Sequence, residues 1–225
     1  DRNARKEGKE LFNAAFLLHE KEIKAIVHKT CLPTYDIFDE DRYFEPAYDW
    51  QLVTFKGQKL AITICEDIWN LGENPLYRTC PMDILVEKKP DIMINLSASP
   101  FDYDHDDDRK EMVRLNVLKY GLPMIYCNAT GSQTEVVFDG GSLVFDAQGN
   151  VVKELKYFEE DYAVIDTKIL FSSQSQKQDS RFAEKEFDKE MRVSKVNDPD
   201  KIIDYLVQER NIREIHAALV LGIRD

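Results

Sequence analysis

Three observations in this 225-residue sequence predict an α/β fold with a partly parallel sheet. Short apolar runs rich in β-branched residues occur at 60–64, 92–96 and 124–128, each with the length of a buried strand. A helical stretch from about Asp106 to Tyr120 separates the last two, and the order strand, helix, strand implies a parallel crossover. The first run passes directly into Cys65-Glu66-Asp67-Ile68-Trp69. That places a thiol, two carboxylates and an indole at a strand's carboxyl end, where open α/β sheets bind their ligands.

Composition narrows the class. With 43% hydrophobic and 32% charged residues the chain is ordinary globular material with one good core. A net charge of −12 argues against nucleic acid or an anionic membrane as the main partner. Cys31, Cys65, Cys80 and Cys127 form no C-x-x-C pair and no zinc spacing with histidine, which fits a reducing cytoplasm. No apolar run approaches the roughly 20 residues that span a bilayer. The opening Asp1-Arg2-Asn3-Ala4-Arg5-Lys6 is neither a signal peptide nor a natural start, so the chain reads as a segment of something longer.

In chain order, residues 11–18 and 23–28 form a hairpin whose connection lacks Asn-Gly chemistry, so a loop longer than the tightest turns is expected; it delivers Lys29 to a strand end. Residues 30–46 have neither helical nor strand periodicity, and their Tyr35, Phe38, Tyr43 and Phe44 either line a site or pin the loop to the core. Residues 50–55 and 60–64 form a second hairpin around Lys56-Gly57-Gln58-Lys59. A short helix over 82–88, stopped by Pro90, precedes the strand at 92–96, which exits into Ser97-Ala98-Ser99-Pro100. The acidic run at 102–108 complements a helix N-terminus, and its spacing does not fit a calcium loop. After 124–128 the run 135–142 turns the chain into a further strand pair, a hairpin of 142–145 with 151–155, and a closing strand follows at 162–165. From 167 to 199 the composition becomes that of a linker or arm, and 200–210 and 212–223 return to helical spacing, with little for these helices to pack on in a domain already closed. Read on its own, Cys65 is either a nucleophile or a small buried hydrophobe.

Four ordered blocks carry a resemblance. Lys29-Thr30-Cys31-Leu32-Pro33-Thr34-Tyr35-Asp36-Ile37-Phe38-Asp39-Glu40 resembles the lysine motif of the nitrilase (carbon-nitrogen hydrolase) superfamily, in the version found in glutamine-dependent NAD⁺ synthetases. Ile64-Cys65-Glu66-Asp67-Ile68-Trp69, Asn95-Leu96-Ser97-Ala98-Ser99-Pro100-Phe101 and the run from Gly131 to Ser142 resemble three further blocks. The resemblance implies a four-layer αββα sandwich, incomplete at its N-terminus, with a glutaminase domain over 1–166, an arm over 167–199 and a helical lead-in to a synthetase domain over 200–225.

It also implies a Cys-Glu-Lys triad with Cys65 as nucleophile and Lys29 as the lysine, and a glutamine pocket at Tyr35, Glu66, Trp69 and Ser99. Glu66 and Asp67 would raise the pKa of the Cys65 thiol, so a nearby cation is required. The triad glutamate falls in opening strand-helix units that this chain lacks, which would leave these residues inactive alone and a sheet edge exposed; Glu40 is only a second carboxylate near Lys29. Relatives carry Lys or Arg where this chain has His105, which makes His105 or Arg109 the candidate for the substrate carboxylate. Glutamine and ammonia are then the small molecules handled, ATP and Mg²⁺ belong to the synthetase domain, no residue here is a metal ligand, and the arm points to a homo-oligomer. A stand-alone amidase or carbamoylase and an inactive nitrilase-fold interaction module remain as alternatives.

Overall fold

The computed structural model describes residues 1–5, 7–71, 76–102, 106–171 and 209–225. Its centre is a six-stranded mixed sheet in the order β10-β9-β6-β5-β4-β3. Here β3 is Val53–Phe55, β4 Gln58–Ile64, β5 Ile92–Ser97, β6 Met124–Asn128, β9 Leu143–Phe145 and β10 Val151–Glu154. β4, β5 and β6 are parallel and in register, Ile62 beside Ile94 and Ile94 beside Ile125, while the flanking strands are antiparallel. The α/β class and the parallel centre are as the sequence predicts.

Two apolar clusters cover the sheet's faces. On one face lie α2 (Pro81–Val86) and α3 (Asp106–Tyr120). α3 buries Arg109, Met112, Val113, Asn116 and Val117, the i, i+3, i+4, i+7 stripe of a helix lying on a sheet. Of these, Met112, Val113 and Val117 join Ala61, Ile68, Met82, Leu85, Met93, Met124, Tyr126 and Phe145 in one core. On the other face β1 (Ala14–His19) and β2 (Glu22–His28) form a separate two-stranded sheet. Its inward Leu17, Ala25 and Val27 pack on Val53, Leu60, Ile92 and Val144. The described residues thus supply helices, a mixed sheet and part of a second β layer. The hairpin's outer Phe16, Leu18, Ile23 and Ile26 are exposed, and its edges are unpaired among the described residues.

Four expectations need correction. The first hairpin turns through only two residues, Glu20 and Lys21, at φ +52° and +64°; the strand register selects a primed turn although neither residue favours it. β3 begins at Val53, and Trp50 instead donates its indole N–H to Thr30 Oγ1 at 2.9 Å. Residues 162–165 form no strand, Tyr162 being 86% and Val164 91% exposed, so β10 ends the sheet. The last helix, α4 (Glu209–Arg224), does have a surface to pack on: it lies on the hairpin of β7 (Thr130–Gln133) and β8 (Val136–Asp139), burying Ala218 and Leu221. Of the arm, Thr167–Phe171 is a short 3-10 helix that buries Leu170 in the second cluster; residues 172–208, with most of the helix expected over 200–210, lie outside the described residues.

Replacing Glu20-Lys21 by Asn-Gly removes the cost of two left-handed non-glycine residues. We expect a gain of about 1 kcal/mol in urea unfolding, with no change in the Cys65 chemistry described below.

Candidate active site

The parallel strands end together. β4 runs into a 3-10 turn at Cys65–Ile68, β5 ends at Ser97, β6 ends at Asn128, and β2 delivers Lys29 from the neighbouring sheet. Cys65 sits at the break between strand and turn with φ +46°, a left-handed conformation that costs a side-chain-bearing residue of the order of 1–3 kcal/mol. The surroundings fix it. Asn95, fully buried, donates to the Cys65 carbonyl at 3.3 Å and to Thr63 Oγ1 at 3.0 Å, and accepts from Ser97 Oγ at 2.8 Å. Asn116 of α3 donates to the Ile68 carbonyl at 2.9 Å, which ties the turn to the helix.

Lys29 is the charge at the centre. Its side chain is 1% exposed, and its ammonium donates to Glu40 Oε1 at 2.6 Å. Glu40 opens the single-turn helix α1 (Glu40–Tyr43), so the aperiodic stretch after Lys29 folds back to bring it a counter-ion. Burial pushes the Cys65 thiol above its ordinary range; the Lys29 charge and hydrogen bonds with Ser97 and the Ala98 N–H pull it back, and Glu66 adds to the rise. The sequence alone points to both neighbouring carboxylates, whereas desolvation is the largest cause.

Glu66 and Asp67 have diverged in role. Asp67, 1% exposed, accepts the backbone N–H groups of Thr30 at 2.9 Å and Cys31 at 2.8 Å on Oδ1, and that of Ile64 at 2.9 Å on Oδ2. Burial raises its carboxyl to about 6 despite these three donors and the Lys29 charge. Glu66, 4% exposed, accepts the Tyr35 hydroxyl at 2.8 Å. Burial pushes the Tyr77 phenol up, and the Glu66 charge adds to the rise. The sequence alone singles out neither Tyr77 nor Asn95; Asn95 opens the block Asn95–Phe101, while nothing local marks Tyr77.

The remaining predicted residues divide. Trp69 is half-buried against the helix-side core, and Ser99 is half-buried with its N–H donating to Asn128 Oδ1 at 2.9 Å. Arg109 is 3% exposed and forms a bidentate pair with fully buried Asp139, Nη1 to Oδ1 at 2.7 Å and Nη2 to Oδ2 at 2.6 Å. Asn128 completes that network by donating to Asp139 Oδ1 at 3.3 Å. A substrate carboxylate would therefore meet a guanidinium already engaged with Asp139 on two nitrogens. His105 lies outside the described residues. Among the described residues no group of three or more His, Cys, Asp and Glu could hold a metal ion, and no helix is long and apolar enough to cross a membrane. A groove of about 370 Å³ between α3, β10 and α4 contains none of the predicted site residues, and its Lys110 and Arg210 pair with Glu154 and Glu214. Chemistry and cavity part company here, and the perturbed, convergent groups at Cys65 mark the site.

The sequence matches the family model described as carbon-nitrogen hydrolase over residues 2–172. It is 36% identical over 160 residues to a glutamine-dependent NAD(+) synthetase of Synechocystis sp., covering 70% of this chain and 29% of that protein. The figures for the Thermotoga maritima glutamine-dependent NAD(+) synthetase are 38% over 155 residues, 69% and 26%. The structure superposes on the Acinetobacter baumannii glutamine-dependent NAD⁺ synthetase in complex with ADP with a TM-score of 0.62 at 27% identity, covering 71% of this chain and 28% of that one. The chain thus spans less than a third of the length of each.

Two outcomes are expected. The pH profile of Cys65 alkylation by iodoacetamide, followed by peptide mass spectrometry, lies above the ordinary cysteine range, and Lys29→Met moves it higher, because the charge that stabilises the thiolate is gone. Asp139→Ala leaves Arg109 buried and without its bidentate partner, and lowers unfolding stability in urea by about 3–5 kcal/mol.

Proposed function

Because this chain belongs to the carbon-nitrogen hydrolase family, we propose that it is the glutamine-hydrolysing part of a glutamine-dependent NAD⁺ synthetase. The observation that carries this reading is that buried Lys29 and Cys65 come to the same carboxyl end of the parallel strands, their flanking backbone held on the one Asp67 carboxylate. In the proposed reaction the Cys65 sulfur attacks the side-chain carboxamide carbon of glutamine, and the C–N bond breaks with a proton delivered to nitrogen, releasing ammonia. The γ-glutamyl thioester that remains is cleaved by water to glutamate and free thiol. Lys29 and the backbone N–H that follows Cys65 stabilise the tetrahedral oxyanion.

Glu66 takes the α-ammonium of glutamine, with the Tyr35 hydroxyl orienting its carboxylate at 2.8 Å, while Trp69 and Ser99 bound the pocket. His105 or Arg109 remains the candidate for the α-carboxylate, with Arg109 acting alongside its Asp139 pair. The general base is not among the residues assigned here, since neither Glu40 nor Glu66 stands in the motif that carries the family's triad glutamate; Glu40 serves as a second carboxylate beside Lys29. Residues 1–225 alone are therefore proposed to give no glutamine turnover. ATP and Mg²⁺ belong to the synthetase portion, to which ammonia passes for amidation of deamido-NAD⁺, and a homo-oligomeric cytoplasmic enzyme is the expected setting.

The test uses the longer protein carrying these residues. A glutamine-mimicking diazo-ketone is expected to attach to Cys65. Cys65→Ala should abolish glutamine-dependent synthesis by roughly a thousandfold or more while synthesis from added ammonia persists. Attachment at Cys31, Cys80 or Cys127, or equal loss with both nitrogen sources, would overturn the assignment.

A further inference from the structure

The catalytic pair of the proposed reaction comes from two different sheets. Lys29 follows β2 of the two-stranded sheet, and Cys65 follows β4 of the six-stranded one, so no ladder hydrogen bond sets their relative position. Besides the Tyr35–Glu66 bond, one buried carboxylate binds the backbone immediately beside both residues. Asp67 Oδ1 accepts the N–H groups of Thr30 and Cys31, the two residues after Lys29, at 2.9 and 2.8 Å, and its Oδ2 accepts the N–H of Ile64, the residue before Cys65, at 2.9 Å.

We propose that Asp67 is a positioning residue, which fixes the Lys29 ammonium against the Cys65 sulfur by holding both carrier segments on one carboxylate. The proposal rests on the reading of Cys65 and Lys29 as nucleophile and triad lysine. Asp67 touches no reacting atom: at 1% exposure its oxygens are turned to backbone. Three N–H donors arriving from two directions need an acceptor on both oxygens, which a carboxylate has. An asparagine of the same shape has one acceptor oxygen and would set an N–H₂ against at least one of the three donors. The cost of burying the acid is visible in its raised pKa, and it is borne at a site where a cysteine already holds φ +46°. Other bonds fix the Lys29 backbone locally, its N–H to the Asn13 carbonyl and its carbonyl to the Ala47 N–H, both at 2.9 Å, but neither reaches the Cys65 turn.

The experiment is a double-substitution cycle on this chain, read as the rate of Cys65 alkylation by iodoacetamide between pH 7 and 10, with exposed Cys127 as the internal control. Asp67→Asn is expected to slow Cys65 labelling by roughly tenfold and to shift its profile upward, leaving Cys127 unchanged. In a Lys29→Met background the same substitution should change the rate by less than about twofold, since the ammonium it positions is absent. Equal slowing in both backgrounds, or no slowing in a folded Asp67→Asn protein, overturns the positioning role. If Lys29→Met by itself leaves Cys65 labelling unaltered, the site reading fails first and the proposal falls with it, a result distinguishable from the others. Should Asp67→Asn not fold, Cys31→Pro deletes one of the three donors and keeps the carboxylate; a smaller loss in the same direction is expected, and unaltered labelling in a folded Cys31→Pro protein overturns the proposal.

Discussion

An ammonium group with 1% of its side chain exposed has lost nearly all its hydration, and the structure around Lys29 is arranged to replace it. Glu40, at 2.6 Å and with 19% of its own side chain exposed, supplies the counter-charge from a loop that folds back over the site. Such pairs seldom add net stability, because desolvation offsets attraction, but once one is buried neither partner can be lost cheaply. What the arrangement provides instead is a fixed positive charge in a poorly solvated place. That charge is the first of the groups that pull the Cys65 thiol back down against its burial.

The fold places the groups by simple means. Parallel strands all finish at the same edge, so β4, β5 and β6 bring Cys65, Ser97 and Asn128 to one end of the sheet. The abrupt change at Cys65 to a left-handed residue and a tight turn is held by polar contacts from both sides. Asn95 grips its carbonyl from β5, and Asn116 grips the Ile68 carbonyl from α3. Strain at this point is tolerated because the neighbours over-determine it.

Carboxylates around the site show how environment decides role. Glu40 answers a buried lysine, Glu66 receives a tyrosine hydroxyl, Asp67 receives three backbone amides, and Asp139 clasps Arg109 in a bidentate pair. Alike by charge in the sequence, they differ in the donors that surround them. Arg109 shows the same effect in reverse: one helical turn beyond His105 it reads as a free cation for a substrate, yet its spacing on α3 turns it toward the sheet and Asp139.

The sequence by itself determined the strands near 92–96 and 124–128, the helix from about Asp106 to Tyr120, and the place of Cys65 at one strand exit and Lys29 at another, because periodicity, length and local punctuation are properties of neighbouring residues. The two-residue turn at Glu20-Lys21 was hidden, since register across the hairpin overrode the turn residues' own preferences. Docking of α4 on β7 and β8 was hidden as well, because an amphipathic stripe does not name the surface it covers. Only the tertiary structure decided which carboxylate meets which donor: Asp67 and Cys31 are 36 positions apart, and Arg109 and Asp139 are 30 apart. Pairings over such distances leave no local pattern and exist only when folding removes water from both partners and obliges each to find the other.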